Sequence, residues 1–429
     1  MPNLHARLSA RLDAPMHAPS RRELLLASGV LFAWSHMPRV ARAEGRDPRF
    51  LVIVLRGALD GLAAVAPVGD PDYAALRGDK ILQLDGPSPA LRLDRFFALN
   101  PAMPNLHRLY GTGQASIVHA VATPYRERSH FDGQDVLETG LAAPGATDIG
   151  WLNRALSALE PDGRVDPGNR KAFAAGPVTP LVVRGPAPVL SWTPPRLQPA
   201  GEDTLMRLLD LYRHTDAALA RALEERIGLA AIARAGGMEP AQPGQPRPAG
   251  VQAAQVRAYF AESAGNAAKF MARPDGPRVG ALAFDGWDTH ADEGAVNGRL
   301  AALLGALDGA IAAVETGMGA AWGDTVVAVV TEFGRTARIN GTEGTDHGTA
   351  TIALLAGGAV KGGRIIADWP GLKTANLRDD RDLKPTTDLR AVLKGVLRDH
   401  LRVPDMTLAT KVFPESSGAK PVAGLVVAA

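Results

Sequence analysis

The sequence predicts an α/β fold, a mostly parallel β-sheet sandwiched between helices. Three observations carry that prediction. Short, continuously apolar, β-branched runs recur along the chain, as in strands buried on both faces. Segments of helical periodicity lie between them. The composition is that of a globular protein, with 46% apolar and 21% charged residues over 429 positions.

Residues 50–55 (FLVIVL) read as the first strand, ending at Arg56-Gly57. Residues 115–121 (ASIVHAV), 180–183 (PLVV), 279–284 (VGALAF), 325–331 (TVVAVVT) and 351–355 (TIALL) read as five more. Residues 297–314 place Leu300, Leu303, Leu304, Leu307 and Ile311 on one stripe of a helix. Residues 204–235, 251–272 and 388–401 are predicted as further helices. Nine Pro within 161–203 make that stretch mainly loop, with room for one or two edge strands. Four Pro and four Gly within 236–250 predict a surface loop. The expected organisation is a single α/β domain over 44–429 with a helical, loop-rich insertion over about 160–275.

The first 43 residues read as an export signal. Ser20-Arg21-Arg22-Glu23-Leu24-Leu25 precedes an 11-residue apolar stretch from Leu24 to Trp34, followed by the small-residue triplet Ala41-Arg42-Ala43. The stretch is too short to anchor in a bilayer. The paired arginines resemble a twin-arginine signal, so the expected partner during export is the twin-arginine translocase. The expected location is periplasmic or secreted, with cleavage after Ala43 and no membrane span in the mature protein.

Composition excludes several classes. The chain has no cysteine, so disulfide staples, thiolate zinc sites, iron–sulfur clusters and a thiol nucleophile are absent. Residues 1–43 hold six Arg against Asp13 and Glu23, which leaves 41 basic and 43 acidic residues in the remainder. That balance gives no electrostatic footprint for nucleic acid.

Polar clusters follow the predicted strands, and ligands of open α/β sheets bind at the carboxyl ends of strands. The clusters are Arg56 to Gly61, Arg126 to Phe131, Asp285 to His290, Glu332 to Thr336, and Gly344 to Gly348, the last leading into the sixth strand. Carboxylates and histidines so placed, without cysteine, have the ligand chemistry of zinc, manganese or magnesium. Asp60, Asp288, His290, Glu332, Asp346 and His347 are the candidate ligands. Each also has a plain structural reading: Asp60 shaping a turn, Asp288 with His290 as a hydrogen-bonded turn, Glu332 pairing with Arg335 or Arg338. Ser129 is either a helix N-cap or a nucleophile, and the two roles are compatible. Arg56, Arg128, His130 and Arg335 are candidates for binding an anionic substrate. His119 inside an apolar run reads as a core histidine.

The segments LRGALDGL, RSHFDGQDVLETG, GWDTH and TEFGRTARINGTEGTDHG, with later GGAVKGG, DWPGL and TTDLR, resemble the bacterial family called domain of unknown function 1501. The resemblance spans about residues 50–402. It implies an alkaline phosphatase-like and sulfatase-like core holding one or two divalent ions (Zn, Mn, Mg or Ca). It also implies that Asp60, Asp288, His290 and His347 take metal-ligand places and Ser129 the nucleophile's place. Glu332 falls where that superfamily has an Asp-His pair, with Phe333 instead of the His, and Ala58 replaces a common Gly. The expected function is a metal-dependent hydrolase of a small anionic phosphate or sulfate ester. The alternative is a non-catalytic exported binding or assembly protein on the same fold.

Overall fold

The computed structural model describes residues 46–159, 172–175, 178–192 and 252–427, with scattered positions between 209 and 224. The predicted export signal and the loop over 236–250 lie outside the described residues, as does most of the helix expected over 204–235.

Among the described residues the central sheet has nine strands. In chain order they are β1 (Arg49–Arg56), β2 (Ala115–Ala122), β3 (Ala172–Ala175), β4 (Val189–Trp192), β5 (Val279–Asp285), β6 (Thr325–Thr331), β7 (Thr351–Ala356), β8 (Arg364–Ile366) and β9 (Thr387–Asp388). Across the sheet the order is β8-β2-β7-β6-β1-β5-β3-β4, with β9 beside β2. β1 lies in the middle, its Phe50 in parallel register with Val279 on one side and Val326 on the other. β7 is antiparallel to both neighbours, β2 and β6, whereas the remaining pairs are parallel. This reversal matters for function, because the chain entering β7 arrives at the edge where its parallel neighbours end.

Helices cover both faces, as continuous apolar strands require. They are α1 (Pro104–Gly111), α2 (His130–Thr139), α3 (Trp151–Ala158), α4 (Gln252–Ala272), α5 (Arg299–Met318) and α6 (Leu389–Leu401). Successive β1 side chains point to opposite faces. Leu51, Ile53 and Leu55 join Leu106 of α1, Ala264 of α4 and Leu300, Leu304, Leu307 and Ile311 of α5. Phe50, Val52 and Val54 join Trp151 and Leu152 of α3 and Val392 and Val396 of α6. Each such Leu, Ile or Val contributes about 1.5–3 kcal/mol relative to exposure. The segment Arg299–Asp324 is long and apolar enough to pass for a membrane span, yet its leucine stripe is buried in this core.

Two expectations change. Residues 181–183 form a 3-10 turn rather than a strand; Pro180 at its N-cap lacks the N–H that a ladder needs. The expected insertion is integral where it is described: β3 pairs with β5, β4 with β3, and α4 packs into the core beside α5.

Candidate metal centre

The polar clusters meet at the carboxyl edge of the sheet. Asp288 and His290 lie just beyond β5, Glu332 just beyond β6, and His347 just before β7. His130 opens α2 after the β2 turn. Gly57, after β1, has φ +119°, and a Cβ there would sit 2.5 Å from the Asp288 backbone nitrogen. Only glycine lets these two turns approach so closely.

Three imidazoles converge on one carboxylate, each anchored through its far nitrogen. His130 Nδ1 lies 2.9 Å from Glu332 Oε1. His347 Nδ1 lies 3.0 Å from the Arg128 carbonyl oxygen. His290 Nδ1 lies 3.4 Å from Asp346 Oδ1. These partners only accept, so the ring protons belong on Nδ1 and the Nε2 lone pairs face inward. There, His290 Nε2 is 2.9 Å from His347 Nε2 and 3.0 Å from Asp288 Oδ1. His347 Nε2 is 3.5 Å from Asp288 Oδ1, and His130 Nε2 is 3.5 Å from Asp288 Oδ2. His130 Nε2 is buried and has no hydrogen-bond partner. Lone pairs set against lone pairs and a carboxylate repel one another unless a cation lies among them. A proton relieves one such contact, whereas a divalent cation relieves them all. The donor set therefore fits a metal, with His130, Asp288 and His347 offering ligand atoms within 4.8 Å of one another and His290 beside them.

The remaining charges hold this arrangement. Glu332 is fully buried and its carboxylate is saturated: Oε1 accepts from the Gly57 N–H and Gln134, and Oε2 from the Thr331 hydroxyl. Its hydrogen bond is the main reason that His130 is held above the usual histidine range. His347 is pushed down, first by burial and then by its cationic neighbours. Burial works to raise Asp288, but the Arg335 guanidinium, with Nη1 2.6 Å from Oδ1, outweighs it and holds the carboxyl low. Phe333, which stands where a second histidine was expected, stacks on His130 with ring centroids 5.0 Å apart. Among the described residues one group able to hold a metal is found.

The structure gives each of the other expected site residues definite partners. His130, expected to touch substrate, turns its Nε2 to Asp288 and is one of the three residues that could hold an ion. Glu332 and Asp346, expected as ligands, are hydrogen-bonded to His130 Nδ1 and His290 Nδ1, the arrangement that fixes tautomer and ring plane where histidines bind metal. Asp60 stands apart from the cluster. Both its oxygens bond to buried Arg77, and Oδ1 also caps the short helix Gly61–Ala64 by accepting from Leu62 and Ala63. The three arginines expected to bind an anion are committed to carboxylates: Arg56 to Glu138, Arg128 to Asp379 and Asp382, and Arg335 to Asp288. Ser129 is at the N-cap position of α2, half-buried, and its hydroxyl makes no capping bond. Its neighbour Arg128 has φ +61°, left-handed backbone of the kind found at strained functional turns.

Two supporting residues escaped the sequence reading. Asp382, fully buried, accepts from both Arg128 and the Thr349 hydroxyl and so ties the Ser129 turn to the His347 turn. Its signal was masked by the charged run RDDRD, which reads as solvated surface. The other, Glu293, has no periodicity or motif to mark it.

The fold and site define a mixed α/β sandwich with a three-histidine, one-aspartate centre at the carboxyl edge of its sheet. Residues 109–412 match the model of the family described as protein of unknown function DUF1501, and the chain belongs to that family. No curated protein matches it. Among solved structures the chain is similar to Ps i-CgsB in complex with k-i-k-neocarrahexaose (TM-score 0.42, 9% identity, 88% of this chain and 77% of that one). It is also similar to the C-terminal periplasmic domain of EcEptC from Escherichia coli in complex with Zn (0.29, 10%, 73% and 74%). A mutant of TAB5 alkaline phosphatase with Mg bound is a further similar structure (0.34, 12%, 75% and 94%).

Proposed function

We propose that this protein is a single-metal hydrolase of phosphate or sulfate esters, with Ser129 as nucleophile. The observation that carries the reading is the convergence of three Nε2 lone pairs on the Asp288 carboxylate. His130, Asp288, His290 and His347 would hold the ion. A divalent cation held there supplies Lewis-acid charge against the anionic oxygens of such an ester. The chain's own groups complete the site. α2 begins at His130, so its N-terminal end lies beside the centre, a setting suited to an anion. The Ser129 hydroxyl, next in sequence to His130 and half-buried, is not held by a capping bond.

A second reading has its own support. Because Arg56, Arg128 and Arg335 are already neutralised by carboxylates, the centre also suits a non-catalytic exported protein that keeps a structural ion. Elemental mass spectrometry of the purified protein, followed by a screen of phosphate and sulfate esters, separates the two. The hydrolase reading expects turnover that Ser129→Ala abolishes while metal content stays intact. Stoichiometric metal without turnover across the screen moves the assignment to the binding protein. Export through the twin-arginine route rests on Arg21-Arg22, and unchanged secretion after both are replaced by Lys would refute it.

A further inference from the structure

Behind the centre lies a buried carboxyl that the proposed chemistry does not use. Glu293 is 2% exposed and lies in the loop after β5, which also bears Asp288 and His290, and its backbone N–H donates to the Glu343 carbonyl at 3.0 Å in the loop before β7, which bears His347. Thr289 Oγ1 donates to Glu293 Oε1 at 2.9 Å, and Thr345 Oγ1 approaches Oε2 at 3.4 Å. The two loops also share a backbone bond from Thr345 N–H to the Thr289 carbonyl at 3.1 Å. Arg335 Nε donates to Thr345 Oγ1 at 3.2 Å while its Nη1 holds Asp288. Thus one carboxyl closes a continuous chain, Glu293–Thr345–Arg335–Asp288, from the back of the site to its central ligand.

We propose that Glu293 is a positioning residue, a clamp that keeps the two ligand-bearing loops in register and so sets the affinity of the centre for its ion. The inference rests on the metal-centre reading above but needs no assumption about the reaction. Charge supports it. The groups facing Glu293 are Asp60 from the turn after β1, Tyr73 and Arg77 from the short helix Tyr73–Arg77, and Arg335 from the loop after β6. Arg77 is paired with Asp60 and Arg335 with Asp288, so two guanidiniums serve three carboxyls and Glu293 has no counter-ion of its own. Burial, then the neighbouring Asp60 charge, pushes it up to about 8. A neutral carboxylic acid clamps without adding a buried charge.

The test is zinc affinity, by chelator competition, of the wild type, Glu293→Gln and Glu293→Ala, together with amide hydrogen exchange. Glu293→Gln keeps a neutral acceptor for Thr289 and is expected to bind zinc like wild type at pH 7. Glu293→Ala is expected to bind roughly 10- to 100-fold more weakly, the usual loss for a supporting partner of a metal ligand. Its amides over 288–291 and 344–348 should exchange faster together while those of α2 do not. Unchanged affinity and exchange in Glu293→Ala would overturn the clamp and leave the metal centre standing. A Gln variant as weak as Ala also overturns it, since charge rather than position would then matter. If the wild type binds no zinc but Glu293→Ala loosens both loops, the clamp stands and the metal reading falls. Should Glu293→Ala not fold, Glu293→Asp, one methylene shorter, takes its place in both measurements.

Discussion

The two edges of the central sheet handle buried polar groups in opposite ways. At the amino edge, among the described residues, Arg278, Arg49 and His400 each meet an acceptor. Arg278 Nη2 is 2.9 Å from Asp47 Oδ2, and the same guanidinium donates to the Pro274 carbonyl. Arg49 Nε donates to the Met271 carbonyl at 2.7 Å, and His400 Nε2 lies 2.9 Å from the Arg49 carbonyl. At the carboxyl edge, guanidiniums and carboxylates are equally well paired, but three histidine nitrogens face one another and Asp288 with no donor between them. The first edge shows what charges do when they only have to stabilise strand starts. The second shows a group of acceptors arranged for something the chain does not itself supply. The carboxyl edge also carries left-handed Ala58 and Arg128 in the turns that lead to the site.

Several measurements would break or sharpen this contrast. The largest effect belongs to the centre itself: Asp288→Ala and His347→Ala should each lower zinc affinity by more than the roughly 100-fold upper range of a supporting residue. Wild-type metal content by elemental mass spectrometry in either variant would abolish the distinction between the edges. Next, Glu332→Gln removes the charge behind His130 and should weaken zinc binding roughly 10- to 100-fold, measured by the same chelator competition. At the amino edge, Asp47→Ala strips a partner from nearly buried Arg278 and should cost about 1–3 kcal/mol by denaturant unfolding. Its metal content should not change; a loss there would mean that the edges are coupled.

The pH dependence of stability sharpens the comparison further. Glu293 at about 8, against an ordinary 4.5, means that the native state keeps a proton which the unfolded chain has already released. Its contribution to stability is therefore complete below pH 4.5 and is lost as pH rises through 8. Glu293→Gln should flatten that decline in urea titrations between the two values, and an unchanged slope would show that the group ionises normally. The smallest effect is expected from Ala58→Gly. Buried Ala58 has φ +68°, so glycine relieves about 1–2 kcal/mol of left-handed strain while losing roughly 0.5–1 kcal/mol to unfolded-state entropy and about 0.8 kcal/mol of methyl burial. A change within about 1 kcal/mol is expected, and a larger loss would show that methyl packing outweighs strain.

Much of the fold was legible because its signals are local. A continuous run such as TVVAVVT is β-branched at every position but Ala328 and apolar between its terminal Thr residues, so it states both its conformation and its burial on two faces, and the strand found is Thr325–Thr331 itself. The α5 stripe likewise states which side meets the core. What escaped was direction and the edge of the sheet. TIALL reads the same whether its strand runs parallel or antiparallel, and the short strands β3 and β4 lie in Pro-rich sequence where no periodicity builds up.

For the site, residue chemistry and position after a strand marked Asp288, His290 and His347, and brought Glu332, Asp346 and Ser129 to the same edge. Those features could not tell a ligand from its support. One Glu332 oxygen is filled by the Gly57 N–H, 275 positions away. His130 turns its Nε2 inward because Glu332, 202 positions away, takes Nδ1. Arg335 belongs to Asp288 rather than to an anion because their loops close on each other. By itself, then, the sequence determined which segments become strands and helices and which side chains have chemistry to offer, since both depend on near neighbours. Only the tertiary structure decided which lone pairs are satisfied and which remain open. Hydrogen-bond partnership is short-ranged in space, and the antiparallel entry of β7 brings to one edge groups that are distant along the chain.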